Sequence, residues 1–568
     1  MLRMYFQMNL RILTVVLGSL TQSLSLPSFK SKDVSLDGYI SADSFIRVKE
    51  GFPVSKVPVS ASTTYYFTGK ARMLEDPEDV PFLKVNTYAR LKLITGAVQS
   101  LHIGSQMMVN VATGWFEFGG DLTTPEGTVT LGIKVSVIGH QLKVEVDGTS
   151  LRLQELSVDA NWKEEANKRI DSIRKGDLQI NFKVDSNYDT SKLEFHLGQT
   201  KTAFPIGSTV TAGRLNSNTE VNIKYTEALT KYFNMGVPPN ELKFRLMEST
   251  EGSPRFDWGD RAIDGLEKLN LKSRAHCLVW GRSDRIPSWL LNKDAKGIKE
   301  ALIRRWTYMA EHWGDRFAHY DVNNEQLHGQ WYSGKLNDTD LLTWMFKEFH
   351  SLVPSAKLFV NDFAVFAGAT HNIAYKRQVE RLLATGAPVG GIGVQAHFSK
   401  PSPMVSYMVS CINRENDCGL QVGFQKRLDV LAQTGIPIWL TEMDVRFGND
   451  DEQVAFLDDI LRLTFSLPYV EGIIFWGFWD GHIENNVRPF MTGPNFELTK
   501  YGEKFDELLL KEWRTHETFG LPSTLSVSKR AFYGQYKLTA TYENSTLWTK
   551  DIELKADGNG NAVYDIDI

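Results

Sequence analysis

Polar and apolar residues alternate in short runs through residues 34–158, lengthen into a different rhythm to about 513, and alternate again at the end. Gln141-Leu142-Lys143-Val144-Glu145-Val146 reads as a half-buried strand before the turn Asp147-Gly148. Tyr65–Thr68, Ala89–Ile94 and Gly127–Val135 are further strand-like runs, and many short strands with turn signals predict a β-sandwich over 34–158. Trp115 in Trp115-Phe116-Glu117-Phe118 is assigned to its core. Residues 159–194 read as a helix (162–175), a strand (178–182) and a polar linker (185–191).

From 195 to 513, apolar strand-like runs alternate with helix-spaced segments such as 297–313 and 454–465. The runs are 203–207, 241–244, 275–280, 320–322, 358–360, 391–394, 437–440 and 472–476. Repeated βα units of this length predict an α/β fold, a (β/α)8 barrel, whose usual size is about 250 residues or more. Residues 514–568 return to alternation (Tyr536–Tyr542) and predict a small β appendage.

Composition changes this picture little. A net charge of -5 gives no electrostatic reason to expect a nucleic-acid partner. The 14 Trp, 19 Tyr and 32 Phe supply rings of the kind that stack on sugar faces. Arg3 and Arg11 precede the apolar stretch 12–20, and Ser23-Leu24-Ser25 offers small residues for cleavage, so 1–26 reads as a signal peptide, with Met8 a second candidate start. No later segment reads as a membrane span, and the mature chain is expected to be secreted, extracellular, soluble and monomeric. That setting lets Cys411 and Cys418 close a disulfide, free thiols being the alternative, while Cys277 reads as a core thiol. It also makes Asn337 and Asn544 glycosylation acceptors. Nothing has zinc-cluster spacing, and no metal or cofactor is expected.

In such a barrel the chemistry sits at the C-terminal strand ends. The fourth run ends Asp321-Val322-Asn323-Asn324-Glu325 and the seventh Trp439-Leu440-Thr441-Glu442-Met443-Asp444. The third carries His276 and Trp280, the sixth Gln395 and His397, and the eighth Trp476 and Trp479. Two acids at strand ends across one barrel mouth suit glycoside cleavage, one protonating the leaving oxygen and the other attacking the sugar carbon.

The strings Arg274–Trp280, Tyr320–Glu325, Val360–Phe363, Gly391–Phe398 and Ile438–Asp444 resemble, in order and spacing, glycoside hydrolase family 10, the endo-β-1,4-xylanases. The resemblance covers 160–513 and is nearest to the multidomain plant and animal members. It implies a retaining mechanism on a β-1,4-linked polysaccharide such as xylan, with Glu325 as acid/base and Glu442 as nucleophile. It further implies that Asn324 holds the sugar 2-hydroxyl, that His397 backed by Asp444 orients Glu442, and that Gln395 shapes the pocket. Asn240, Lys243, His276 and Trp280 fall at substrate-binding positions, and Trp476 at the aromatic wall. More loosely, the N-terminal sandwich resembles a family 22 carbohydrate-binding module.

The chain departs from the family at Pro239, Phe244 and Gly281, where Glu, Trp and a second His are usual, and 481–486 lacks a Trp. These losses bear on xylan against glucan selectivity and leave the acid, nucleophile and their supports in place. Two readings compete: a non-catalytic carbohydrate-binding or matrix protein, and a metal-dependent barrel hydrolase using His276, His397 and Asp444.

Overall fold

The computed structural model describes residues 29–40, 45–46, 51–185, 188–398, 420–483, 487–557 and 560–568. The segment 1–26, Cys411, Cys418 and the loop residues 484–486 lie outside the described residues.

Eight parallel strands form the barrel: β1 (Ile206–Thr209), β2 (Met235–Val237), β3 (Lys272–Ala275), β4 (His319–Asp321), β5 (Lys357–Asp362), β6 (Val389–Val394), β7 (Ile438–Val445) and β8 (Val470–Phe475). Each pairs with its sequence neighbour, β1 pairs with β8, and Ile392–Val394 pairs with Ile438–Leu440 in the same sheet. The barrel interior carries Met235, Val237, Phe359, Trp439 and Ile474. Gly391 and Gly472 make room there, because a Cβ at either would lie 2.2–2.3 Å from the Phe359 or Trp439 ring. Around the barrel, helices bury the positions expected from a 3.6-residue period. Ala295–His312 turns Ile298, Ala301, Leu302, Arg305, Trp306 and Met309 inward, and Asp294 caps it by accepting from the Gly297 amide at 2.8 Å.

Two expected strands are misplaced: the run 275–280 meets β3 only at Ala275, its end forming a separate short strand, Val279–Trp280, and the run 241–244 is no strand at all. Residues 241–244 lead into a short helix, Phe244–Met247, and the second strand is Met235-Gly236-Val237. Three residues with a central glycine leave no apolar run to detect, whereas buried Leu242 and Phe244 imitate one.

The N-terminal region folds as two antiparallel sheets around its own core. One sheet orders Phe29–Val34, Val144–Val158, Thr64–Met73 and Phe116–Thr123; the other orders Gly51–Pro58, Thr128–Val137, Leu83–Leu93 and Val98–Val109. Trp115 is not core: it is 45% exposed, with Arg72 4.9 Å over its ring.

The C-terminal region is larger than an appendage and is discontinuous in sequence. Lys175–Lys183 pairs with Ser526–Phe532 and Ala562–Asp567, and Leu193–Thr202 pairs with His516–Gly520 and Gly534–Tyr542. The strands flanking the expected linker therefore complete a second sandwich, with Leu178, Ile180, Phe195, Leu538 and Ala540 in its core. Pairing partners more than 300 residues apart leave no local trace. Helix Trp162–Arg174 packs instead on the barrel through Trp162, Ala166 and Ile170.

The N-terminal sandwich is docked on the barrel. Asp121 and Arg427, both fully buried, pair across the interface at 2.7 Å, and Lys376 meets Glu117 at 3.0 Å. Removing one partner of a buried pair strands the other's charge. Asp121→Ala is accordingly expected to cost about 3 kcal/mol, read as a lowered midpoint of urea unfolding.

Candidate active site

Strand geometry builds the mouth. Side chains two apart on an extended strand share a face, so Glu442 and Asp444 project together from the end of β7. The backbone at Ala396 takes φ 56°, and the chain resumes as His397-Phe398, in register so that His397 lies opposite Asp444. His397 bridges the two carboxylates, its Nδ1 2.8 Å from Asp444 and its Nε2 3.3 Å from Glu442. Arg446 donates to Asp444 at 2.7 and 3.0 Å.

On the other side, Glu325 follows β4 in the left-handed region at φ 56°, a conformation that strains a residue with a side chain. Its amide donates to the Asn361 carbonyl at 2.8 Å, and its own carbonyl accepts from Gly329 at 2.7 Å. Gln395 donates to the Glu325 carboxyl at 3.1 Å, and Arg282 approaches its second oxygen at 3.5 Å.

Asn361, at the end of β5, joins the halves. Its Nδ2 donates to Glu442 at 2.8 Å and to the Asn324 side-chain oxygen at 2.9 Å, while its own oxygen accepts from Thr441 at 2.5 Å. Asn324 Nδ2 is buried and has no protein partner among the described residues.

The two acids sit in opposed environments. Burial raises the Glu325 carboxyl; Trp280 and Gln395 pull it down, and the charges of Asp362 and Glu442 push it up again. Burial alone would also raise Glu442, but His276, His397 and Asn361 hold it down to about 2. His397 shows the reciprocal effect. Burial would lower it, yet its bonds to Asp444 and Glu442 lift it to about 10. Glu442 is thus ionised, beside an imidazolium, while Glu325 is biased toward its protonated form.

The remaining sequence candidates gather on one flank. His276 is buried, bonded through Nδ1 to Asp321 at 2.9 Å and 4.0 Å from Glu442, and Arg274 also pairs with Asp321. His276 therefore faces Glu442 from a fixed buried position. Its ring lies 5.5 Å from that of Trp476 and 6.2 Å from that of Trp280. Lys243 donates to Asn240 at 3.0 Å and sits 4.8 Å over the Trp280 ring, its ammonium pKa lowered by burial. The two histidines spend Nδ1 on different carboxylates, and the described residues contain no metal-holding cluster of His, Cys, Asp and Glu.

Asn361, Asp321, Thr441, Arg282 and Arg446 were not singled out from sequence. Asn361 lies inside a recognised string, and its place at a strand end was the available signal. Arg282 carried none, because only the loop after Trp280 turns it toward Glu325.

Opposed carboxyls of this kind at the C-terminal mouth of a (β/α)8 barrel define a glycosidase-type site. The profile of Glycosyl hydrolase family 10 matches residues 198–485, and the chain belongs to that family. Similar proteins include endo-1,4-beta-xylanase 1 of Arabidopsis thaliana, 27% identical over 88% of this chain and 51% of the relative. Endo-1,4-beta-xylanase 3 of the same plant is 28% identical over 84% of this chain and 62% of the relative. The chain thus spans about half to three-fifths of the length of these curated relatives. Among solved structures, xylanase 10B of Thermotoga petrophila in complex with xylobiose aligns with a TM-score of 0.46 and 21% identity, over 54% of this chain and 94% of that one.

Proposed function

We propose that the protein is a secreted retaining endo-β-1,4-xylanase acting by double displacement. The observation that carries this reading is the split between Glu325, raised by burial, and Glu442, held down to about 2, in one mouth. Glu442 attacks the anomeric carbon while Glu325 protonates the departing oxygen, and Glu325 then deprotonates the water that hydrolyses the glycosyl-enzyme. Such a mechanism holds the two carboxyls about 5–5.5 Å apart. The unpartnered Asn324 Nδ2 supplies a donor for the 2-hydroxyl, where a contact strengthens as the oxocarbenium-like charge develops. His397, fixed between Asp444 and Glu442, keeps the nucleophile aimed and ionised. Trp476, Trp280, Lys243 and Asn240 offer ring faces and donors to the sugars. Xylan as substrate is supported by the names of the two plant relatives. Secretion rests on the N-terminal pattern, and Asn337 and Asn544 are both exposed, as glycan acceptors must be.

Glucan activity is a second reading, favoured by two positions. Phe244 is 3% exposed and packs under Arg305, so it does not refill the cleft position usually held by Trp. At Gly281 a Cβ would meet the Gly329 carbonyl at 2.1 Å, so no side chain substitutes for the missing His. Product analysis on xylan, carboxymethyl cellulose and mixed-linkage glucan tests both readings. Reducing ends from xylan, first released as the β-anomer by NMR, are expected; release only from the glucans would transfer the assignment, and inversion would overturn the mechanism.

A further inference from the structure

A chain of polar and ring contacts runs from the N-terminal sandwich to the proposed acid. Lys84, half-buried on the sandwich, places Nζ 3.4 Å from Nε2 of His371, and His102 adds a ring 6.5 Å from the same imidazole. His371 Nδ1 lies 3.0 Å from the Thr370 hydroxyl. Burial, then the charges of His328, Lys84 and His102, push His371 down to about 2. It is therefore neutral, accepting from Lys84 at Nε2 and donating to Thr370 from Nδ1. Its ring packs 4.2 Å from that of His328, which stacks on Phe363 at 3.9 Å.

His328 Nδ1 lies 2.6 Å from one oxygen of Asp362, a buried carboxylate whose other oxygen accepts from the Leu327 amide at 2.8 Å. The Asp362 carbonyl accepts from the Gln395 amide at 3.1 Å. Asp362 thus grips both the segment that carries Glu325 and the residue that donates to the Glu325 carboxyl. Glu325 is otherwise faced by Trp280, Arg282 and Glu442. Asp362 is faced by His328 and by the Leu327 and Phe363 amides, with Tyr375 nearby.

We propose that the N-terminal sandwich is part of the acid/base machinery: Lys84, acting through His371 and His328, holds Asp362 as the positioning residue for Glu325. The proposal rests on the reading of Glu325 as the acid. It differs from a tether that merely concentrates substrate, because a tether helps only on a polymer that the module binds.

Lys84→Met, Lys84→Arg and Asp362→Asn in the full chain separate these roles on an aryl β-xylobioside, which is too small to be held by module and cleft together. Lys84→Met and Asp362→Asn are expected to lower kcat about tenfold or more with KM within about twofold, since small misplacements of a catalytic group are costly. Lys84→Arg should recover most of the loss. Asp362→Asn removes a negative charge that favours the protonated acid, so the alkaline limb of kcat should move to lower pH. Unchanged kcat and an unmoved limb in folded Lys84→Met and Asp362→Asn would overturn the proposal, as would a loss confined to polymeric xylan. Should Asp362→Asn fail to fold, Lys84→Met with rescue by Lys84→Arg decides it. Should the parent chain hydrolyse no glycoside, the reading of Glu325 fails separately. The ¹³C titration of the Glu325 carboxyl then decides the positioning: a downward shift in Asp362→Asn supports it, and an identical curve refutes it.

Discussion

Glu442→Gln is expected to lower kcat by at least about 10⁴-fold on every substrate, because an amide cannot supply the attacking oxygen and no other carboxylate occupies its place. Substrate binding should survive, since Gln preserves the volume and can still accept from Asn361. A second effect is specific to this geometry. His397 is lifted to about 10 by Asp444 and Glu442 together, so a neutral residue 442 should bring its titration down, visible by NMR of the imidazole. Near-parental kcat with the His397 titration unmoved would assign the nucleophile elsewhere.

Glu325→Gln carries the second-largest expected effect, about 10²- to 10⁴-fold in kcat on xylan, the usual range for loss of general acid/base help. An aryl xylobioside with a good leaving group needs little protonation, so its first step should be nearly spared. Deglycosylation would then become limiting and release the phenol in a burst. The pH profile gives an independent check. Turnover requires Glu442 ionised and Glu325 protonated, so activity should hold above the pKa of Glu442, about 2, and fall as pH rises through the raised pKa of Glu325. Glu325→Gln should abolish that alkaline limb. Linkage sets the outer limits. The depressed Glu442 contributes stability above its unfolded pKa of about 4.3, and this is lost as pH falls toward about 2. The raised His397 contributes stability below about 6.5, and this is lost as pH rises through about 10. A Glu325→Gln profile that keeps its alkaline limb would place the titrating acid elsewhere.

The N-terminal sandwich is docked on the barrel through charge pairs. A module on a flexible linker would act on polymer rates through local concentration, whereas the buried Asp121–Arg427 pair and the Lys84–His371 contact fix the sandwich against the barrel.

Much of the architecture could be read along the chain because it is locally encoded. Six of the eight barrel strands overlap apolar runs at a strand's length, while β3 (Lys272-Ser273-Arg274-Ala275) meets its expected run only at Ala275, and the helices at 295–312 and 450–465 announce themselves by period and cap. Strand β2 escaped because Met235-Gly236-Val237 is too short for any period to develop. The second sandwich escaped because its strands lie on either side of the whole barrel, and pairing across that distance depends on register, not on local pattern.

The sequence by itself determined the two carboxylates, their place at the ends of strands, and the imidazole and amide groups nearby, since residue type and strand position are local properties. Only the tertiary structure decided which of those acids is shifted up and which down. That outcome depends on burial and on charges brought together from separate strands: His276, His397 and Asn361 around Glu442, and Trp280, Gln395 and Asp362 around Glu325. Electrostatic energy falls off with distance through space and takes no account of distance along the chain.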